Sequence, residues 1–146
     1  MRDAPTIHAS AVLAGARALL IRGPAGEGKS RLVLGLIEAA ESGLVPFARL
    51  VTDDRAHLEA ANGRLLVRAP KALQGYLEVR GLGIRQLPFE ACAVVGWVAD
   101  LAAADAGRLP PPEALTTEIS GIKLPRLAVA AGEDPLPLVL AALRTS

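Results

Sequence analysis

The chain has 146 residues, enough for one domain with a substantial apolar core. Hydrophobic residues make up 51% of it, and 16 Lys and Arg against 15 Asp and Glu give a net charge of +1. Without a basic block there is no electrostatic footprint of a nucleic-acid or membrane-surface binder. Aromatic residues are 3% of the chain (Phe47, Tyr76, Phe89 and Trp97), which offers no stacking platform for bases, and the single Cys92 rules out an intrachain disulfide. Cys92 lies in the apolar run Ala91 to Val95 and reads as a buried thiol. Met1 to Pro5 holds no signal-peptide core and no apolar run reaches membrane-spanning length, so the expected compartment is the cytoplasm.

In chain order, Thr6 to Leu13 reads as a strand, and a turn at Ala14-Gly15 returns the chain into a second strand over Ala16 to Ile21. Gly23-Pro24-Ala25-Gly26-Glu27-Gly28-Lys29-Ser30 then spells G-x-x-x-x-G-K-S, the Walker A phosphate loop. Its glycines let backbone N–H groups turn toward a nucleotide phosphate. Lys29 is placed to reach the β- and γ-phosphate oxygens, and the Ser30 hydroxyl to meet Mg²⁺. Leu32, Val33, Leu36, Ile37 and Ala40 recur at helical spacing, so the loop opens a helix whose N-terminal dipole faces the phosphate. The helix stops at Gly43, with Pro46 beyond.

Phe47 to Val51 reads as a strand running into Thr52-Asp53-Asp54-Arg55. Two adjacent carboxylates after a hydrophobic strand can divide two tasks, one turned toward a metal and one accepting a proton from an incoming hydroxyl. His57 to Ala60 and Arg64 to Arg68 flank Asn62-Gly63, a hairpin turn pair, which makes His57 an exposed strand residue. If the next segment is extended, Glu78 and Arg80, on either side of Val79, face the same way, suited to a metal and a phosphate oxygen or to a surface ion pair. Ala93 to Leu101 is an apolar strand, Gly107 to Pro112 and Gly132 to Pro137 are loops, and Pro137 to Arg144 is a short terminal helix. Neither His8 nor His57 has a partner at zinc-ligand spacing. Mixed strands with few helices predict an α/β fold with a large antiparallel component.

Together these residues resemble the catalytic domain of the bacterial HPr kinase/phosphorylases. The resemblance runs through Ile7-His8-Ala9, the phosphate loop, Leu50 to Arg55, Ala69-Pro70, Leu77-Glu78-Val79-Arg80-Gly81-Leu82-Gly83-Ile84 and Gly107-Arg108-Leu109. It implies a P-loop-containing mixed sheet related to phosphoenolpyruvate carboxykinase, with a helix after the loop, and a single catalytic domain over residues 1–146 lacking the family's N-terminal domain. The implied activity is ATP- and Mg²⁺-dependent phosphorylation of a serine on HPr, the phosphocarrier of the sugar phosphotransferase system, with a homo-oligomer that is hexameric in the family. Carried over by motif, residues 23–30 bind ATP, and Ser30 and Glu78 hold Mg²⁺. Asp54, or else Asp53, is the general base, and His8, Lys29 and Arg108 complete the catalytic set.

The chain departs from the family pattern at three places. Arg31 follows Ser30 where the family has Glu, and Arg108-Leu109 is preceded by Gly107 and followed by Pro110. The basic loop linked to the reverse reaction corresponds to Val129-Ala130-Ala131-Gly132-Glu133-Asp134. Two cationic positions there are neutral or acidic, so phosphorolysis of phospho-HPr is expected to be weak or lost. Two other functions fit the motif: a P-loop kinase for a small metabolite, which calls for more lid arginines than Arg108 alone, and a nucleotide-responsive module without turnover.

Overall fold

The computed structural model describes residues 5–145. Its strands are β1 (Ile7–Ala14), β2 (Arg17–Arg22), β3 (Ala48–Thr52), β4 (Arg55–Ala61), β5 (Arg64–Arg68), β6 (Tyr76–Val79), β7 (Gly83–Gln86), β8 (Ala93–Leu101), β9 (Thr116–Ile119) and β10 (Ile122–Val129). Two α-helices accompany them, α1 (Lys29–Glu41) and α2 (Leu136–Arg144).

The main sheet has eight strands in the order β2-β1-β4-β5-β8-β10-β9, with β3 branching from β1. A further β2–β8 pairing closes the path β2-β1-β4-β5-β8 into a ring. Pairing is antiparallel except where β8 lies between β2 and β10, both parallel to it. The expected mixture of directions is present as a mixed sheet and barrel with two helices. β6 and β7 form a separate two-stranded hairpin.

Strand alternation divides the core into two clusters. Ala18 and Leu20 of β2 join Ala9, Ala11, Ala56, Leu65, Val67, Ala93, Val95 and Val98 within the ring. Alanine is frequent there because a narrow ring leaves little interior volume. Leu19 and Ile21, from the opposite face of β2, pack with Leu32, Val33 and Leu36 of α1 and Val139 of α2. Leu32, Val33, Leu36 and Ala39 form the buried stripe of α1. A Cβ on Gly35 would stand 3.1 Å from Leu136, so that glycine lets α2 seat closely on α1. At Gly96 the β2–β8 register shifts, and a Cβ there would meet the Arg17 Cβ at 2.7 Å.

Three readings of the sequence change, and one strand pair is new. His57 is buried, its Nδ1 3.2 Å from the Pro5 carbonyl oxygen, because the segment ahead of β1 crosses β4. Cys92 is exposed, since it precedes β8, and of its apolar run Ala93 and Val95 enter the core without it. Arg80 lies in the turn between β6 and β7 and does not share a strand face with Glu78. The segment 116–129 supplies β9 and β10, joined through Ser120 and Gly121, both at positive φ (51° and 81°).

Candidate phosphate-binding and acid–base site

Parallel strands β2, β8 and β10 all end at one edge of the sheet, the usual location of ligand sites in such sheets. Antiparallel β1 starts at that edge, with Ala9 opposite Arg22, and β3 ends there, with Thr52 opposite Ala11. Topology thus gathers the loop after β2, the Asp53-Asp54 turn after β3, His8 at the start of β1, and the loop carrying Arg108 after β8.

The loop after β2 takes its shape from glycine. Gly23, Gly26 and Gly28 lie at φ 153°, 85° and 100°, conformations that L side chains rarely adopt. Gly28 precedes α1 with no side-chain cap, leaving the first helical N–H groups free to meet an anion. A Cβ on Gly23 would stand 2.9 Å from the Leu101 Cβ, so the loop runs hard against the end of β8. Lys29 is buried and folds back along the loop, its Nζ donating to the carbonyl oxygens of Gly23 (2.7 Å) and Pro24 (3.1 Å). Burial pushes its ammonium below the usual lysine range, against the opposing pull of Asp54, Asp53 and Glu27.

The two aspartates take separate partners. Asp53 is buried and its carboxylate accepts hydrogen bonds from the Ser30 hydroxyl (2.6 Å), the Ser10 hydroxyl (2.8 Å) and the Glu78 backbone N–H (3.1 Å). Asp54 is exposed and pairs with His8 through Nε2 and Oδ1. One carboxylate is therefore locked against Ser30 at the start of α1, and its neighbour is presented to solvent beside an imidazole. The arrangement can hold a cation next to a bound phosphate and take a proton from a hydroxyl arriving from outside.

His8, Lys29, Ser30, Asp53 and Asp54 are thereby drawn together, and Glu78 joins through its backbone, its exposed side chain forming no hydrogen bond among the described residues. Arg108 is exposed on the loop after β8 and has no hydrogen bond or ion pair among the described residues. The sequence reading did not single out Ser10. It lies two positions from His8 on β1, hence on the same face, and a lone serine among the apolar residues Ala9, Ala11 and Val12 was the available signal. Nor did it anticipate the ion-pair cluster behind the loop. Arg22, directly before Gly23, forms two bonds to Asp100 (2.7 and 2.8 Å). Arg126 binds the same carboxylate (2.5 Å) and, through its other nitrogens, Asp105 (2.8 and 3.0 Å) and the Ala114 carbonyl oxygen (2.9 Å).

No family model matches the chain. An HPr kinase/phosphorylase from Clostridium beijerinckii is 46% identical over 66 residues, 45% of this chain and 20% of the relative. One from Clostridium tetani is 40% identical over 70 residues, 48% of this chain and 21% of the relative. The matched segments thus span a small part of those relatives' length. The solved structure of the Hpr(Ser) kinase/phosphatase from Coxiella burnetii superposes with a TM-score of 0.75 at 28% identity, covering 96% of this chain and 93% of that one. The chain matches the HPr kinase/phosphorylases in sequence over part of its length and in fold over nearly all of it.

Proposed function

We propose that this chain is an ATP-dependent protein-serine kinase of the HPr kinase/phosphorylase type, acting on HPr or an HPr-like phosphocarrier, with residues 1–146 as one P-loop-containing catalytic domain. The observation that carries this reading is the pairing of adjacent carboxylates with different partners at the loop, Asp53 with Ser30 and Asp54 with His8. A phosphate loop alone binds nucleotides. A solvent-facing carboxylate held beside it adds an acceptor for the proton of an attacking alcohol.

The donor set suits Mg²⁺. The Ser30 hydroxyl and Asp53 carboxylate are hard oxygen ligands 2.6 Å apart, and no cluster of three or more His, Cys, Asp or Glu exists among the described residues. Mg²⁺ commonly takes one or two carboxylates and completes its shell with phosphate oxygens and water. Ser30, Asp53 and Glu78 would hold it. When bound, it neutralises charge on the β- and γ-phosphate oxygens.

In the forward reaction the serine oxygen attacks the γ-phosphorus as its proton passes to the Asp54 carboxylate. The bond from the γ-phosphorus to the bridging oxygen breaks, leaving phosphoserine and ADP. His8 orients Asp54. Lys29 exchanges its loop carbonyls for phosphate oxygens, and the loop N–H groups hold the β-phosphate. Arg108, on the free loop at the same sheet edge, approaches the transferring group once both substrates are present. Phosphorolysis is weak, because the loop after β10 offers Glu133 and Asp134 where inorganic phosphate would need cations.

Transfer of label from γ-labelled ATP to HPr, with Mg²⁺, tests the reading against Lys29→Ala and Asp54→Asn. Lys29→Ala should remove most nucleotide affinity. Asp54→Asn should leave binding intact and slow transfer by roughly 10²- to 10⁴-fold. Nucleotide binding with no label on HPr would overturn the kinase assignment in favour of a regulatory module. Rapid pyrophosphate release from phospho-HPr and phosphate would overturn the loss of phosphorolysis.

A further inference from the structure

Ser10 is fully buried in the middle of β1, a strand otherwise apolar apart from His8, among Ala9, Ala11 and Val12. A hydroxyl in such a place destabilises the fold unless its hydrogen bonds are made. Here one is donated and one accepted, and both go to the acidic turn. Ser10 Oγ donates to Asp53 Oδ1 at 2.8 Å and accepts from the Asp54 backbone N–H at 3.1 Å.

The turn needs that support. Asp54 has φ 70°, and the Arg55 N–H returns to the Asp53 carbonyl oxygen at 2.8 Å, the i→i+2 bond of a γ-turn with positive φ. This turn is rare and strained, and such conformations persist only where the surroundings hold them. The surroundings in question are β1. The Ala9 N–H binds the Asp54 carbonyl oxygen at 3.1 Å, and Ser10 binds the amide on the other side. The peptide units flanking Asp54 are thus bonded to successive residues of one strand. The direction in which the Asp54 side chain leaves the backbone, toward His8 and solvent, follows from that grip.

The same hydroxyl acts on the second carboxylate. Oδ1 of Asp53 accepts from both Ser10 and Ser30, so Ser10, with the Glu78 N–H on Oδ2, fixes the rotation of the group that meets Ser30. We propose that Ser10 is a positioning residue for both carboxylates. It holds Asp53 in register with Ser30 for the cation and keeps Asp54 in the strained turn that presents it to the acceptor hydroxyl. This deepens the kinase reading and rests on it for the role of Asp54; the part concerning Asp53 requires only Mg²⁺-nucleotide binding.

Ser10→Ala, Ser10→Cys and Ser10→Thr test the proposal in the full chain. Cysteine keeps the volume with a far weaker donor, and threonine keeps the hydroxyl. Three readouts are followed: thermal melting, the Mg²⁺ concentration that half-saturates binding of a fluorescent ATP analogue, and hydrogen exchange at the Asp54 amide. Folded Ser10→Ala and Ser10→Cys should need about 10-fold or more Mg²⁺, bind the Mg²⁺-free nucleotide as the parent does, and exchange the Asp54 amide faster. Ser10→Thr should restore all of these. If alanine does not fold, the cysteine variant decides.

Label transfer to HPr should fall by roughly 10- to 100-fold in the same variants and recover with threonine. A folded alanine or cysteine variant with parental Mg²⁺ dependence and parental amide exchange would overturn the proposal, whatever HPr does. A shifted Mg²⁺ dependence without transfer by the parent would leave Ser10 holding Asp53 while the kinase reading fails.

Discussion

Gly23 shows how a single position serves both backbone geometry and packing. Its φ of 153° is one that side chains rarely tolerate, and a Cβ would lie 2.9 Å from the Leu101 Cβ and 3.1 Å from the Leu101 carbonyl oxygen. The carbonyl oxygen of Gly23 is also the nearer anchor of Lys29. A methyl group there must push the loop off β8 or push Leu101 back into the core. Either movement shifts the carbonyl that holds the lysine. Gly23→Ala is therefore expected to lower stability by about 1–3 kcal/mol and to weaken nucleotide binding by more than 10-fold. Urea titration and binding of a fluorescent nucleotide measure the two effects. By contrast, Gly26 has open space around its Cβ position, and Gly26→Ala carries only the cost of its positive φ.

At the scale of the element, the ends of β2, β8 and β10 are tied by one carboxylate. Asp100 of β8 takes Arg22 from one neighbour and Arg126 from the other, and Arg126 extends the tie to Asp105 on the following loop. Burial raises the Asp100 carboxyl, but hydrogen bonds from Arg22 and Arg126 and their charges outweigh it, so the group lies below the usual carboxylate range. Hydrogen bonding to Asp105, with Asp100 second, pushes the Arg126 guanidinium up. A carboxyl lowered in the folded state stabilises the fold above its unfolded value, near 3.9, and loses that contribution as pH falls through its folded value. Asp100→Asn should cost about 3 kcal/mol at neutral pH, because Arg22 keeps only a neutral partner there and Arg126 keeps only Asp105 as a carboxylate. It should also flatten the loss of stability below about pH 4 relative to the parent, since one titrating carboxyl is gone. Urea midpoints between pH 3 and 7 test both statements.

None of that tie was legible in the sequence, because its members stand 78 and 26 residues apart in the chain and no local pattern joins them. What was legible was local. The glycine-rich loop of residues 23–28 lies between a strand and a helix because glycine conformations and helical periodicity act over a few residues. The Asn62-Gly63 turn follows for the same reason, with both residues at positive φ (53° and 74°). The strand pair 116–129 was missed although Ser120-Gly121 is a turn signal, since Pro125 argues against a strand. In the fold Pro125 is the last residue paired to β9, just before β10 changes partner to β8. The burial of His57 and the exposure of Cys92 were misread because each depends on a distant segment or a strand boundary. Of the candidate site, the two aspartates were read from their place after a hydrophobic strand in a chain with the phosphate-loop motif, His8 through the family resemblance, and their pairings only in the fold.

For the whole molecule, the two core clusters raise the question of whether the chain unfolds as one body. β2 sends Leu20 into the ring and Leu19 and Ile21 toward the helices, so neither cluster can lose its packing without disturbing the strand that builds the other. β8 does the same, with Val95 and Val98 on one side and Ala99 and Leu101 on the other. β3 divides Leu50 from Val51 in the same way. Shared strands couple the clusters far more tightly than a linker would, and the proposal of a single domain over residues 1–146 predicts one cooperative transition. Leu20→Ala opens a cavity in the ring and Leu36→Ala opens one beneath α1, each at a fully buried position. Each should cost about 2–5 kcal/mol. Circular dichroism follows the helices, which lie outside the ring and share a cluster with Trp97, and pulsed hydrogen exchange at the Leu65 and Val67 amides over the same urea series follows the ring. In either variant both probes should shift to the same lower urea midpoint with an unchanged m-value. A Leu20→Ala protein whose helices melt at the parental midpoint while the Leu65 and Val67 amides open early would show two independent units, and the single-domain proposal would fail.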